Sequence, residues 1–186
     1  MYGMVNRAIE DMVVTHHGEA AWERIKAKAG LDVEVFISSE SYSDDTTYQL
    51  VEAASAVFGV PAEQVLIRFG EHWVTHTAQV SFGGLMLEAG KTLPAFLRNL
   101  PNFHARVALI FPKLQPPGFE CTGITDHGLK LHYYSHRPGL APFVVGLMQG
   151  LGKRFGTPVT VRLLEAKADG ADHDVFDVTW TPAPLA

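Results

Sequence analysis

His104 is the residue of this chain best placed to bind a metal. If residues 101 to 111 form a helix, Val107, Ala108 and Phe111 share its face at offsets of three, four and seven. An imidazole pointing into apolar surroundings loses water and stays neutral, which leaves a ring nitrogen available to a metal. Taken alone, His104 reads more readily as a core histidine hydrogen-bonded to a backbone carbonyl than as a ligand.

The alternating triplet Tyr133-x-Ser135-x-Arg137 adds a second chemistry. With a period of two, all three side chains leave one face of an extended segment. A phenol, a hydroxyl and a guanidinium then form a donor row with one fixed positive charge. Arginine takes a carboxylate bidentately, and the hydroxyls can serve the remaining oxygens. The alternative is an exposed sheet face, which often mixes such residues. One soft nitrogen ligand and a carboxylate-binding row are together what haem b requires, for its iron and its two propionates.

The composition sets the frame for these residues. The 186 residues are 47 % hydrophobic and 10 % aromatic, which predicts one globular domain with a substantial core. The formal charge is −5, and no cluster of Lys or Arg interleaved with aromatics suggests nucleic acid as a partner. No apolar run is long enough to span a bilayer, and Met1 to Arg7 lacks a signal pattern, so the expectation is a soluble cytoplasmic domain with no membrane partner. The single cysteine, Cys121, excludes an internal disulfide and a Cys-rich zinc knuckle.

Apolar spacing predicts which elements position the site. Val5, Ile9, Met12 and Val13 mark a helix ended near His17-Gly18, and Trp22, Ile25 and Ala29 a second, stopped by Gly30. Val33 to Ile37 is ambiguous. Ser43 caps a third helix, with Asp44 and Asp45 in its first turn, and Gly59 ends it. Pro61 opens a fourth, with Val65, Leu66, Phe69, Trp73 and His76 on its apolar stripe and a loop at Gly83-Gly84 after it. A helical stretch runs from Leu93 to Leu100. Pro101 then opens the helix of His104, which ends before Pro112. Phe119 to Ile124 and Leu129 to Ser135 form a hairpin, and Leu140 to Leu151 an inserted helix. Two further strands carry Val159, Val161, Leu163 and Phe176, Val178, Trp180. The predicted fold class is α+β: an N-terminal helical part packed on an antiparallel sheet with an inserted helix.

Weaker signals carry less. His72 and His76 lie at i, i+4, a zinc-compatible spacing, but no third ligand is near and no H-E-x-x-H pattern exists. Cys121 has no charge cluster to activate it, and Gly150-Leu151-Gly152 falls at a helix end, not between strand and helix.

His104-Ala105-Arg106-Val107, the run Pro116-Pro117-Gly118-Phe119-Glu120-Cys121 and Tyr133-x-Ser135-x-Arg137 resemble the H-NOX family of haem domains. These are nitric oxide and oxygen sensors related to the β subunit of soluble guanylate cyclase. Met1-Tyr2-Gly3, Tyr42-Ser43-Asp44-Asp45 and Gly139-Leu140-Ala141-Pro142 match in order, so the resemblance spans nearly the whole chain. It implies a single haem domain over residues 1–186, with a helical subdomain at 1–60 and the haem-holding helices and sheet at 61–186. Non-covalent haem b would lie between helices and sheet, with His104 as its one iron ligand. Tyr133, Ser135 and Arg137 would hold the propionates. Pro117, with Pro116 as a near alternative, would contact the macrocycle, and Asp44 or Asp45 would meet Arg137.

Oxygen-binding members resemble one another in a distal tyrosine on the helix after the triplet, where this chain has Phe143. With Val5, Trp73 and Leu147 as neighbours, the pocket should be apolar apart from the Trp73 N–H. The resemblance thus implies a sensor, not an enzyme, that binds nitric oxide and carbon monoxide without a stable oxygen complex. Nitric oxide would weaken the bond to His104, and the signal would pass to a separate histidine kinase or cyclic-di-GMP enzyme. The alternative is a haemless module of related fold that takes a small apolar ligand.

Overall fold

The computed structural model describes residues 1–110 and 116–181, so the expectations for Phe111 and Pro112 lie outside the described residues. Three helices open the chain: α1 (Gly3–His17), α2 (Glu19–Ala29) and α3 (Asp44–Phe58). Their ends obey local chemistry. Gly30 and Gly59 adopt left-handed conformations that stop α2 and α3, and the Ser43 hydroxyl accepts the Asp45 N–H at 3.2 Å to start α3. The ambiguous Val33 to Ile37 stretch has no regular structure. It drops Phe36 into the core of the three helices and leaves Val35 and Ile37 exposed.

Helix α4 (Ala62–His72) begins one residue after Pro61 and passes into a π-helical turn, Trp73–Thr77, then α5 (Ala78–Ala89). The loop expected at Gly83-Gly84 does not exist, because both glycines lie inside α5. A helical glycine costs only about 1 kcal/mol relative to alanine, and burial of Phe82, Met86 and Ala89 outweighs it. The irregularity falls instead at Phe82, whose φ of −135° bends the helix. The predicted stripe is corrected in the same region: His76 is exposed, while His72 and Val74 are buried. The π turn inserts one residue into the helical period, so the inward face shifts after Trp73.

Helices α6 (Leu93–Arg98) and α7 (Leu100–Ile110) follow, with Pro101 in the first turn of α7. Strands β1 (Gly118–Thr122) and β2 (Gly128–Tyr134) form the expected hairpin. Helix α8 (Ala141–Arg154) is inserted before β3 (Val159–Glu165) and β4 (Asp174–Trp180). The sheet is antiparallel in the order β1-β2-β4-β3. Strand β2 ends at Tyr134, so Ser135 and Arg137 belong to the following turn, and the triplet is not the single strand face expected of it.

Two cores result. One lies within α1 to α3 and takes in Val65, Leu66 and Phe69 of α4. The other lies between α5 to α8 and the inner face of the sheet, around Leu97, Leu131, Val144 and Phe176. Trp73 and Leu140 pack against both. Where α4 crosses α8, the backbones touch. A Cβ at Gly70 would meet the Phe143 carbonyl, and one at Gly146 the Ile67 carbonyl. Among the described residues no single helix is long and apolar enough to cross a membrane.

Candidate functional site

A cavity opens where the two cores meet, and His104 of α7 forms part of its wall. The imidazole Nδ1 lies 3.0 Å from the Leu100 carbonyl one turn earlier, a contact that requires an N–H donor on the ring. That bond selects the tautomer whose Nε2 lone pair is available, and Nε2 has no hydrogen-bond partner among the described residues. Burial lowers the His104 pKa, against the partial restoring effect of the Leu100 bond, so the ring is neutral at physiological pH. Phe103 and Phe119, with ring centroids 5.4 and 4.8 Å away, pack the imidazole in place.

Arg137 and Tyr133 reach the same cavity from the end of β2. Arg137 Nε donates to Asp44 Oδ2 at 2.8 Å, and the Met1 ammonium donates to Asp44 Oδ1 at 2.7 Å. Asp44, not Asp45, is therefore the acidic partner. Burial alone would raise its pKa, but the hydrogen bonds from Met1 and Arg137 outweigh it and hold the carboxyl below its ordinary value. Tyr133 is buried, and burial raises its phenol against a hydrogen bond with Ser135. Ser135 itself is not on the wall. Its Oγ accepts the Arg137 backbone N–H at 3.1 Å, and its carbonyl accepts Lys167 Nζ at 2.9 Å, so it braces the turn that presents Arg137.

The other expected positions converge on this cavity. Pro116 and Pro117 both line it, as do Val5 of α1, Trp73 of the π turn, and Phe143 and Leu147 of α8. The Phe69 ring ties two of these together, 5.0 Å from Phe143 and 6.1 Å from Trp73. Sequence reasoning named neither Tyr2 nor Thr47 as wall residues, yet both are buried and line the cavity. The Thr47 hydroxyl is committed, donating to Asn6 Oδ1 at 2.6 Å. A signal for Tyr2 lay in its neighbour: a side chain at Gly3 would collide with the Ile37 carbonyl, so glycine there brings the chain start against the site.

The remaining candidates do not assemble. His72 and His76 stack with ring centroids 4.4 Å apart, but no group of three metal-ligating side chains forms among the described residues. Burial pushes the Cys121 thiol up to about 11, and its Sγ donates to the Leu97 carbonyl at 3.3 Å.

Residues 2–163 match the sequence model of the haem-NO-binding family. Among similar proteins, soluble guanylate cyclase gcy-31 of Caenorhabditis elegans is 29 % identical over 170 residues, covering 91 % of this chain and 24 % of the relative. Soluble guanylate cyclase gcy-32 of the same organism is 31 % identical over 157 residues, covering 83 % and 23 %. The chain thus spans about a quarter of the length of these curated relatives. The fold is shared with an H-NOX protein from S. oneidensis in the Fe(II)NO ligation state. That comparison has a TM-score of 0.87 at 20 % identity, covering 98 % of this chain and 100 % of the other. The Fe(II) unliganded H-NOX protein from K. algicida gives a TM-score of 0.85 at 24 % identity, with both chains fully covered. By sequence and fold, the chain belongs to the haem-NO-binding family of haem-based gas sensors, as an H-NOX domain related to soluble guanylate cyclase.

Proposed function

We propose that residues 1–186 form one cytoplasmic sensor domain that binds nitric oxide, and carbon monoxide, at ferrous haem b without a stable oxygen complex. The observation that carries this reading is His104. It presents a neutral imidazole with an uncommitted Nε2 on an otherwise apolar cavity, and the same wall holds Arg137. Those residues fit haem, with His104 as the single axial ligand and Arg137 and Tyr133, braced by Ser135, as partners of the propionates. Pro117, beside Pro116, would press on the macrocycle.

When bound, haem supplies an iron that takes up a diatomic gas. His104, oriented by the Leu100 carbonyl, would hold that iron from α7. Val5, Phe143 and Leu147 exclude water and offer the gas carbon surface only, while Trp73 adds one indole N–H. Oxygen is retained where a distal donor meets its outer atom; nitric oxide and carbon monoxide need none, so an apolar wall favours them. His104 would thus be the residue that ties α7 to the bound group, and loss of that tie would let the helices move against the sheet, a two-state element biased by a ligand. Resemblance to the family supports a separate histidine kinase or cyclic-di-GMP enzyme as the receiver of that shift.

An absorption spectrum of the reduced protein, recorded without air, in air and with nitric oxide, tests the reading. The expected result is a ferrous haem with one histidine ligand that ignores oxygen and loses the histidine signature with nitric oxide. A stable oxygen spectrum would refute the selectivity. Failure to take up haem would refute the sensor and favour a module for a small apolar ligand.

A further inference from the structure

A second cleft, where the end of α4 meets α1, gathers polar residues that do not line the cavity of His104. His72, the last residue of α4, is 3 % exposed, and its Nε2 lies 2.7 Å from Asp11 Oδ2 on α1. Its Nδ1 is buried and has no hydrogen-bond partner among the described residues. The ring is stacked on His76 at 4.4 Å and meets His16 of α1 edge-on at 6.1 Å. His17, Arg68 and Glu71 line the same cleft, and Lys153 of α8 pairs with Glu71. A buried imidazole with one strong bond and one orphaned nitrogen holds its position through that single bond.

The π turn begins at the next residue. The Ala78 N–H donates to the Trp73 carbonyl, five residues back, where an α-helix would bond four back. The side chains of Thr75 and Gln79 satisfy carbonyls at and just before the widened turn, Thr75 Oγ1 donating to Glu71 O and Gln79 Nε2 to Thr75 O, both at 2.9 Å. The consequence lies on the cavity wall. Leu66, Phe69 and Trp73 follow α-helical spacing, and the next alignment, Val74, Ala78 and Phe82, runs one residue out of phase. In an unbroken α-helix Thr77 would take the inward place of Ala78, and Trp73 would be rotated against its successors. Something must hold the register at the boundary.

We propose that His72, anchored by Asp11, is a positioning residue that locks the start of the π turn and thereby sets the Trp73 indole in the gas cavity. The pair ties α1 to α4 at the residue before Trp73, so breaking it lets the indole turn. Burial lowers the His72 pKa, with the Asp11 bond as a partial offset, so the ring stays neutral until the pH falls below the ordinary histidine range. A proton on Nδ1 would then place a buried N–H without an acceptor between the His16 and His76 rings. The lock is therefore present at neutral pH and lost on acidification. This inference rests on the gas-cavity reading above.

The experiment uses the whole chain in two forms. Without haem, the indole N–H resonance of Trp73 is followed by NMR from pH 7.5 downward and assigned by its loss in Trp73→Phe. It should shift in a single transition below the ordinary histidine pKa. In His72→Gln, which keeps a donor toward Asp11 but cannot titrate, that transition should vanish while the neutral-pH resonance stays in place. In Asp11→Ala the resonance should already be displaced at neutral pH. With haem, the carbon monoxide stretching frequency and dissociation rate should follow the same pattern, with a several-fold rate change in Asp11→Ala. A transition that persists in His72→Gln, or an Asp11→Ala protein with the wild-type resonance, would overturn the proposal. Failure of the wild type to take up carbon monoxide, with the His72-dependent indole transition intact, would overturn the gas reading and leave the lock supported.

Discussion

The same substitution, glycine to alanine, should have opposite effects at two helical positions of this chain. At Gly146, where α8 crosses α4, an added Cβ would fall within 3.0 Å of Ile67 O, a separation that real Cβ atoms do not show. The obstacle is backbone on a packed helix, so the two helices must separate. Overpacking of this kind destabilises by about 1–3 kcal/mol. For a chain of this length that lowers Tm by roughly 2–4 °C per kcal/mol, or on the order of 2–12 °C. At Gly84, in α5, nothing lies within 4 Å of the added Cβ, and the backbone is already helical. Alanine there should stabilise by about 0.5–1 kcal/mol, through lower conformational freedom of the unfolded chain and better helix propensity. Calorimetric melting of Gly146→Ala and Gly84→Ala beside the wild type measures both signs at once. Because α8 carries Phe143 and Leu147, Gly146→Ala should also change carbon monoxide affinity, and Gly84→Ala should not. Equal melting temperatures for the two variants, or a destabilised Gly84→Ala, would refute the close crossing and the helical path through Gly83-Gly84.

His104→Gly should retain haem poorly and recover it when free imidazole is supplied; an unchanged haem content and spectrum would show that another residue is the ligand. Phe143→Tyr places a hydroxyl beside Phe69 in the apolar wall and should raise oxygen affinity, read from spectra in air, whereas no gain would mean that the para position does not face the gas. Asp44 has a folded pKa below its unfolded value, so its contribution is present above the ordinary carboxylate range and lost as pH falls through the folded pKa. Asp44→Asn should therefore be less stable than wild type to urea at neutral pH, and the gap should close on acidification. A gap that is independent of pH would assign the loss to packing instead of charge.

Local chemistry in the sequence decided most element boundaries. A left-handed turn that glycine adopts cheaply ended α2 at Gly30 and α3 at Gly59, and a side-chain acceptor started α3 at Ser43. Period-two alternation located the four strands, because one face of an antiparallel sheet must be buried. The candidate ligands were legible for a related reason. His104 and Arg137 stand out by residue type in apolar or alternating surroundings, whatever the rest of the chain does.

What remained hidden depends on partners far away in the chain. Asp44 and Asp45 are chemically alike, and only the docking of α3 against the turn after β2 brings Asp44 to Arg137 and to the Met1 ammonium. Strand β2 stops before Ser135, which converts an apparent donor row into a wall residue, a brace and an ion-paired arginine. Gly83 and Gly84 look like a break, yet burial of their helix against the second core exceeds their intrinsic cost. The π turn at Trp73 and the burial of His72 leave no local mark, since a one-residue shift in helical phase is stabilised by tertiary packing and by Asp11, sixty-one positions away in sequence. Propensity and spacing act within a few residues, so they determined the elements; the crossing of α4 on α8 and the junction of two cores, made by long-range contacts, decided the cavity.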